Sequence, residues 1–363
     1  MESKKDSEKK LKPAGSYLDS LSDFADLLGT IRQAEKAAGE LLSETSLPRI
    51  PSKTDVGSDV GGSVPDKRSG EAGSPEESAK APDGEPGNVK TVDEMLAQLD
   101  ELVGLDNIKR SVKSLINYVK IRGLRKENEL PNPPLSLHMV FMGNPGTGKT
   151  TVARILSELY RAIGALSKGQ LIEVDRGGLV AGFVGQTAIK TAEVINSALG
   201  GILFIDEAYS LAPEGGGGND FGREAIETLL KMMEDNRGNL IVIVAGYSGP
   251  MERFIASNPG LESRFNRWFM FEDYDGGELY EIFSSMCLKS EYVLTEDGTD
   301  FVRRYFSELY DTRDENFGNA RHVRNFFENV VAVHSDRVSA MESHTREDLI
   351  TVMREDVEAA ALV

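Results

Sequence analysis

"LHMVFMGNPGTGKT", residues 137 to 150, decides the fold. Its first six residues are an apolar run too short for a stable helix and right for a buried strand. A glycine-rich loop follows, and from Thr150 the apolar residues recur with helical spacing. Strand, G-x-x-x-x-G-K-[ST] and helix, in that order, are the parts of a phosphate-binding loop, the Walker A pattern. Glycines let backbone N–H groups curl around phosphates, and the helix start adds positive potential. Asn144, Pro145, Gly146, Thr147, Gly148, Lys149, Thr150 and Thr151 are thus expected to hold ATP. Lys149 would neutralise the β and γ phosphates, and Thr150 would offer an oxygen to Mg²⁺.

Further along, "GILFIDE" ends a second apolar strand in Asp206 and Glu207, where the carboxyl edge of the sheet would meet the nucleotide. Asp206 suits the Mg²⁺ shell, and Glu207 suits a general base acting on the attacking water. Neighbouring side chains on a strand point to opposite faces, so the two acids need not share a role. "TAIK" at 187 to 190 and "DFG" at 220 to 222 imitate protein-kinase signatures, but the catalytic-loop and glycine-rich patterns that should accompany them are missing.

Around these motifs, short apolar runs alternate with helical patterns: "LHMVFM", "LIEV", "GILFID", "LIVIVAG" and "WFMF", with helices from Thr150, near Ala188 and from Arg223. That alternation predicts an α/β fold with a parallel sheet covered on both faces, residues 91–275. Beyond Tyr274 the strands stop. Stripes such as Leu279, Ile282, Phe283, Met286 and Phe301, Val302, Tyr305, Phe306, Leu309 predict a helical lid over 276–363. Ahead of the sheet, Thr91 and Glu94 have capping-box spacing, and Ile108, Val112, Leu115, Ile116 and Val119 form a helical stripe.

The first 90 residues read differently. Tyr17, Leu21, Phe24, Leu28 and Ile31 line one face of a helix in 1–46, interrupted by Gly29 and Gly39, so that it needs something to pack against. It could rest on its own globular body or dock a partner. Residues 47–90 are rich in Pro, Gly, Ser and charge, the composition of a disordered linker.

A length of 363 residues with 40% hydrophobic content supports a real core, and the net charge of −18 argues against a general nucleic-acid binder. The chain has no apolar run of transmembrane length, and its charged start is not a secretory signal. A cytoplasmic protein that does not insert into membranes is therefore expected. Cys287, the single cysteine, lies in an apolar pattern and reads as a buried structural thiol.

"SLHMVFMGNPGTGKTTVARIL", "GGILFIDEAYSL", "EAIETLLKMMED", "IVIVAGY" and "SNPGLESRF" together resemble the CbxX/CfqX branch of the AAA+ ATPases. That branch includes red-type rubisco activases, the stage V sporulation protein K and type VII secretion ATPases. The resemblance spans roughly 91 to 358 and implies the AAA+ P-loop architecture with a five-stranded parallel sheet and a helical lid. It also implies a homo-oligomeric ring, usually of six subunits.

By resemblance, Arg264 is the arginine finger that reaches a neighbour's γ-phosphate, with Arg267 as competitor; a guanidinium stays charged and spreads over several phosphate oxygens. Arg321 of "GNARHVRNFF" corresponds to the sensor-2 arginine, with Arg324 as alternative. Val103 and Gly104 resemble the segment that closes over adenine. At sensor 1 the chain departs from the usual Asn or Thr, placing Gly246, Tyr247 and Ser248 there, which leaves the positioning of water open. Phe183, in "GFVGQT", falls where such motors carry the first pore loop, and an exposed aromatic can grip any passing polypeptide.

The resemblance implies a remodelling motor pulling a protein client through the pore; the alternatives are a nucleotide-gated switch or scaffold recruiting partners through the first helix, and a DNA-directed machine, which the acidic balance disfavours. No residue identifies the client.

Overall fold

A computed structural model describes residues 90–133, 136–183, 185–212 and 221–362, all within the compact unit Pro82–Val363. The expected helix of 1–46 and all but the last residue of the 47–90 linker lie outside the described residues.

Thr91 caps the first described helix, as its spacing predicts. Glu94 N–H donates to Thr91 Oγ1 at 3.2 Å, while Glu94 Oε2 accepts from Thr91 N–H at 2.7 Å. Helix α1 (Val92–Asp100) and α2 (Asp106–Glu127) follow, then strand β1 (Met139–Met142) and α3 (Lys149–Ala162). Strand β2 (Leu171–Val174), α4 (Arg176–Leu179), α5 (Gln186–Ala198) and β3 (Ile202–Ile205) come next. A 3-10 turn (Ala208–Leu211), α6 (Phe221–Asp235), β4 (Ile241–Gly246), α7 (Ser248–Ala256), α8 (Pro259–Arg264) and β5 (Arg267–Met270) complete the sheet region.

The five strands pair in the order β2-β3-β4-β1-β5, all parallel, with Met139 opposite Ile243 and Arg267. The alternation along each strand divides the core. Met139, Phe141, Ile202, Phe204 and Ile243 join Leu99, Val112 and Leu156 on one face. Val140, Met142, Leu203, Ile205 and Val244 join Ile195, Ile226 and Phe254 on the other. Every residue of β1, β3 and β4 is buried, as expected for parallel strands covered on both sides.

The C-terminal helices are α9 (Gly276–Lys289), α10 (Glu296–Asp311), α11 (Ala320–Ser339), α12 (Arg346–Ile350) and α13 (Arg354–Ala360). Phe283, Phe306 and Phe326 meet at ring-centroid distances of 5.4 to 5.9 Å and belong to the same apolar cluster as Phe141. Cys287 is buried there, and burial pushes its thiol up to about 12. Strands do not stop at Tyr274, however. β6 (Val293–Leu294) and β7 (Thr351–Val352) form a two-stranded parallel ladder inside the helical part. Two residues per strand are too few to show any period, so pattern alone could not reveal them. Among the described residues, no helix is long and apolar enough to cross a membrane.

Candidate active site

Strand β1 delivers the chain to the carboxyl edge of the sheet, where Gly143 N–H donates to Gly246 O at 3.1 Å. Gly148 then takes a left-handed conformation and opens α3 with no side-chain cap. The first turn of a helix leaves its N–H groups without intrahelical partners. Here Gly148, Lys149, Thr150 and Thr151 line a cleft of about 550 Å³, within the usual range for a cofactor pocket.

The same cleft gathers Val103, Pro145, Gly146, Asp206, Glu207 and Arg321. Lys149 Nζ donates to Gly143 O at 2.8 Å and Asn144 O at 2.7 Å. Burial pulls this ammonium from 10.5 down to about 8, with the Asp206 carboxylate opposing the shift and the Arg321 guanidinium adding to it. Neutral carbonyls are poor compensation for a desolvated charge; phosphate oxygens would be better. Lys289, Arg321 and Arg324 add three cations to Lys149 at the cleft, and Asp206 and Glu207 place acids at the end of β3. An uncapped helix start, a cation short of anionic partners and hard oxygen ligands together fit a nucleotide triphosphate with a divalent cation.

Glu207 has φ 46°, unusual for a residue with a side chain, and its N–H donates to Asp206 Oδ1 at 3.0 Å. Both residues stand just past the end of β3, at the turn that leaves the strand, and both line the cleft. Tyr209, two residues on, packs its ring where a Cβ at Gly246 would stand, 2.8 Å away. Burial raises its phenol to about 12, with the Glu207 carboxylate next among the causes. The unusual glycine at the end of β4 thus has a physical reason: the Tyr209 ring needs the space. Tyr247 lines the cleft beside it.

Several expected residues sit elsewhere. Asn144 turns its side chain to Asp273, Thr147 is fully buried with its hydroxyl on Asn144 O, and Gly104 lies under Glu278. Asn144 and Thr147 can offer a nucleotide only backbone groups. Arg264 does not line the cleft at all. Its guanidinium meets Glu234 at 3.0 Å, with a quarter of the side chain exposed. Its competitor Arg267 donates to Ser136 O at 3.1 Å and lies over the Tyr118 ring. Phe183 is 72% exposed, on the connection between α4 and α5.

Ile282, Met286, Tyr274 and Lys289 line the cleft without having been singled out for it. Ile282 and Met286 belong to the α9 stripe together with Leu279 and Phe283, which are core. Spacing shows that such residues share a face, but not that the edge of the face looks into a cleft.

Residues 139–273 match the ATPase family associated with various cellular activities (AAA), and residues 275–362 match the AAA lid domain. Stage V sporulation protein K of Bacillus subtilis is 42% identical over 265 residues, covering 73% of this chain and 82% of the relative. The chloroplastic ribulose bisphosphate carboxylase/oxygenase activase of Cyanidioschyzon merolae is 39% identical over 270 residues, covering 73% and 91%. Protein CbbX of Cereibacter sphaeroides is 39% identical over 271 residues, covering 74% and 86%. Among solved structures, the FIGL-1 AAA domain superposes with a TM-score of 0.52 at 16% identity, covering 72% of this chain and 82% of that one. At that identity the likeness speaks for the fold alone.

Proposed function

The chain belongs to the CbxX/CfqX family of AAA+ ATPases, and from that premise we propose that it is a protein-remodelling motor. Copies of it would form a ring, six in the family pattern, that spends ATP moving a polypeptide client. The nucleotide-binding part would be residues 91–275 and the lid residues 276–363.

In the cleft, Lys149 would neutralise the β and γ phosphates, and Thr150 and Asp206 would hold Mg²⁺. The cation, when bound, offsets charge on the phosphate oxygens. Glu207 takes the proton of the attacking water. Val103 and Gly104 form the adenine side, with Gly104 acting through its backbone, and Arg321 reports the phosphates to the lid. Arg264 reaches the neighbouring subunit's γ-phosphate, which agrees with its standing away from its own cleft.

One observation carries the motor reading: Phe183 is 72% exposed, between Gly182 and an unfilled approach to Gly185. A large apolar side chain left to solvent on a glycine-flanked turn is a contact surface for something else. The base of the turn is tied down, with Lys190 Nζ on Val180 O at 3.1 Å and Thr191 Oγ1 on Leu179 O at 3.0 Å.

The test uses an unfolded polypeptide of varied sequence as probe. It should stimulate ATP turnover in the parent protein and not in Phe183→Ala, whose basal turnover should stay within about twofold of the parent. Equal stimulation in both would reject the grip and favour a nucleotide-gated switch.

A further inference from the structure

Arg321 follows a tight turn. Its N–H donates to Gly318 O at 3.0 Å, closing a four-residue turn with Asn319 at the second position. Asn319 has φ 48° and ψ −131°, the conformation of the first central residue of a type II′ turn, where glycine is usual. Chain reversal alone would favour glycine here, so the asparagine side chain needs its own reason.

That side chain is fully buried and completely used. Its Nδ2 donates to Asp273 Oδ1 at 2.7 Å and to Phe317 O at 3.0 Å, and its Oδ1 accepts from Tyr274 N–H at 2.9 Å. Asp273 is shared. Its Oδ1 also accepts from Asn144 Nδ2 of the phosphate loop at 3.0 Å, and Arg313 approaches Oδ2 at 3.6 Å. Backbone contact completes the junction, with Ala320 N–H donating to Gly146 O at 3.3 Å and Tyr274 O–H donating to Thr147 O at 3.3 Å.

One carboxylate thus joins the loop that cradles phosphates to the residue that launches the Arg321 helix. We propose, resting on the cleft as the ATP site, that Asn319 and Asp273 are positioning residues of the ATPase. They hold Arg321 in register with the phosphate loop and carry displacements of Asn144 to the lid. Neither side chain lines the cleft, so the pair acts on turnover chiefly through the place in which it holds Arg321.

Asn319→Gly separates this role from a merely structural one, because glycine relieves the backbone and removes only the side-chain bonds. The variant should melt somewhat lower, because Tyr274 N–H loses its buried acceptor, but assayed well below that melting point it should keep its KM for ATP while kcat falls about tenfold, the scale of a small misplacement near a reacting centre. Asn319→Asp should fall further, by setting two carboxylates face to face. The exchange Asp273→Asn with Asn319→Asp should recover part of that loss by restoring a donor–acceptor pair.

Parent kcat in Asn319→Gly overturns the relay, and so does an exchange that recovers nothing. If Asn319→Gly does not fold, the exchange alone decides. Lys149→Ala, assayed alongside for ATP binding, distinguishes two failures: full binding by it overturns the cleft assignment and the relay together. Lost binding there with parent kcat in Asn319→Gly overturns the relay alone.

Discussion

Two glycine-bearing loops leave parallel strands of one sheet, and they are built in opposite ways. After β1, Gly146 is pressed against the lid turn: a methyl group there would run into the Gly318 carbonyl and come within 2.7 Å of Arg321 N. The side chains of Lys149, Thr147 and Asn144 tie that loop down further. After β2 and α4, a methyl on Gly182 or Gly185 would meet nothing within 4 Å, and Phe183 faces solvent. In one loop glycine is required by what packs against it, in the other only by the backbone itself at Gly185, where φ is 80°. Fixed geometry suits a loop that holds phosphates, and an open surface suits the contact with a varied partner proposed for Phe183.

The largest effect should come from breaking the fixed loop. Gly146→Ala places a Cβ at φ 75°, which costs about 1–2 kcal/mol even without the clash, and the clash is with backbone that cannot step aside. ATP turnover should fall by more than about 1000-fold, since the phosphate loop and the start of the Arg321 helix are displaced together. Parent turnover in this variant would mean that the lid turn is not held against the phosphate loop.

Next in size is the contribution proposed for a second subunit. Arg264→Ala should lower turnover by roughly 1000-fold while ATP still binds, because the residue stands outside its own cleft. Mixing it with Lys149→Ala should restore activity where an intact finger meets an intact site. A mixture no more active than its parts would remove the finger from the account.

Gly182→Ala should do least. With open space around it, the change should stay within about 0.5 kcal/mol in stability and leave basal turnover as it was. A large loss of basal turnover would show that the open loop also serves the chemistry, and the contrast between the two loops would disappear.

The fixed loop was the more legible in sequence because its function is local: strand, glycines, Lys149 and Thr150 are consecutive, and the motif states their geometry. The strands were legible because all but the edge ones are apolar on both faces, and the lid because its stripes keep a helical period. What escaped detection depends on remote partners. No spacing shows that Asn144 turns from the nucleotide to Asp273, 129 residues on, or that Ile282 and Met286 look into the cleft while Leu279 and Phe283 do not. Asn319 looks like any polar residue before a helix until its positive φ is seen. Arg264 could be assigned only by resemblance, since the site it would serve lies on another copy of the chain.

The central claim is that this cleft hydrolyses ATP with Glu207 as the base, and Glu207→Gln tests it most directly. Bound ATP and its turnover should be measured on the same sample. The expected result is ATP retained at parent occupancy, with hydrolysis slowed by about 100-fold or more, the usual worth of a general base. Hydrolysis at the parent rate would contradict it.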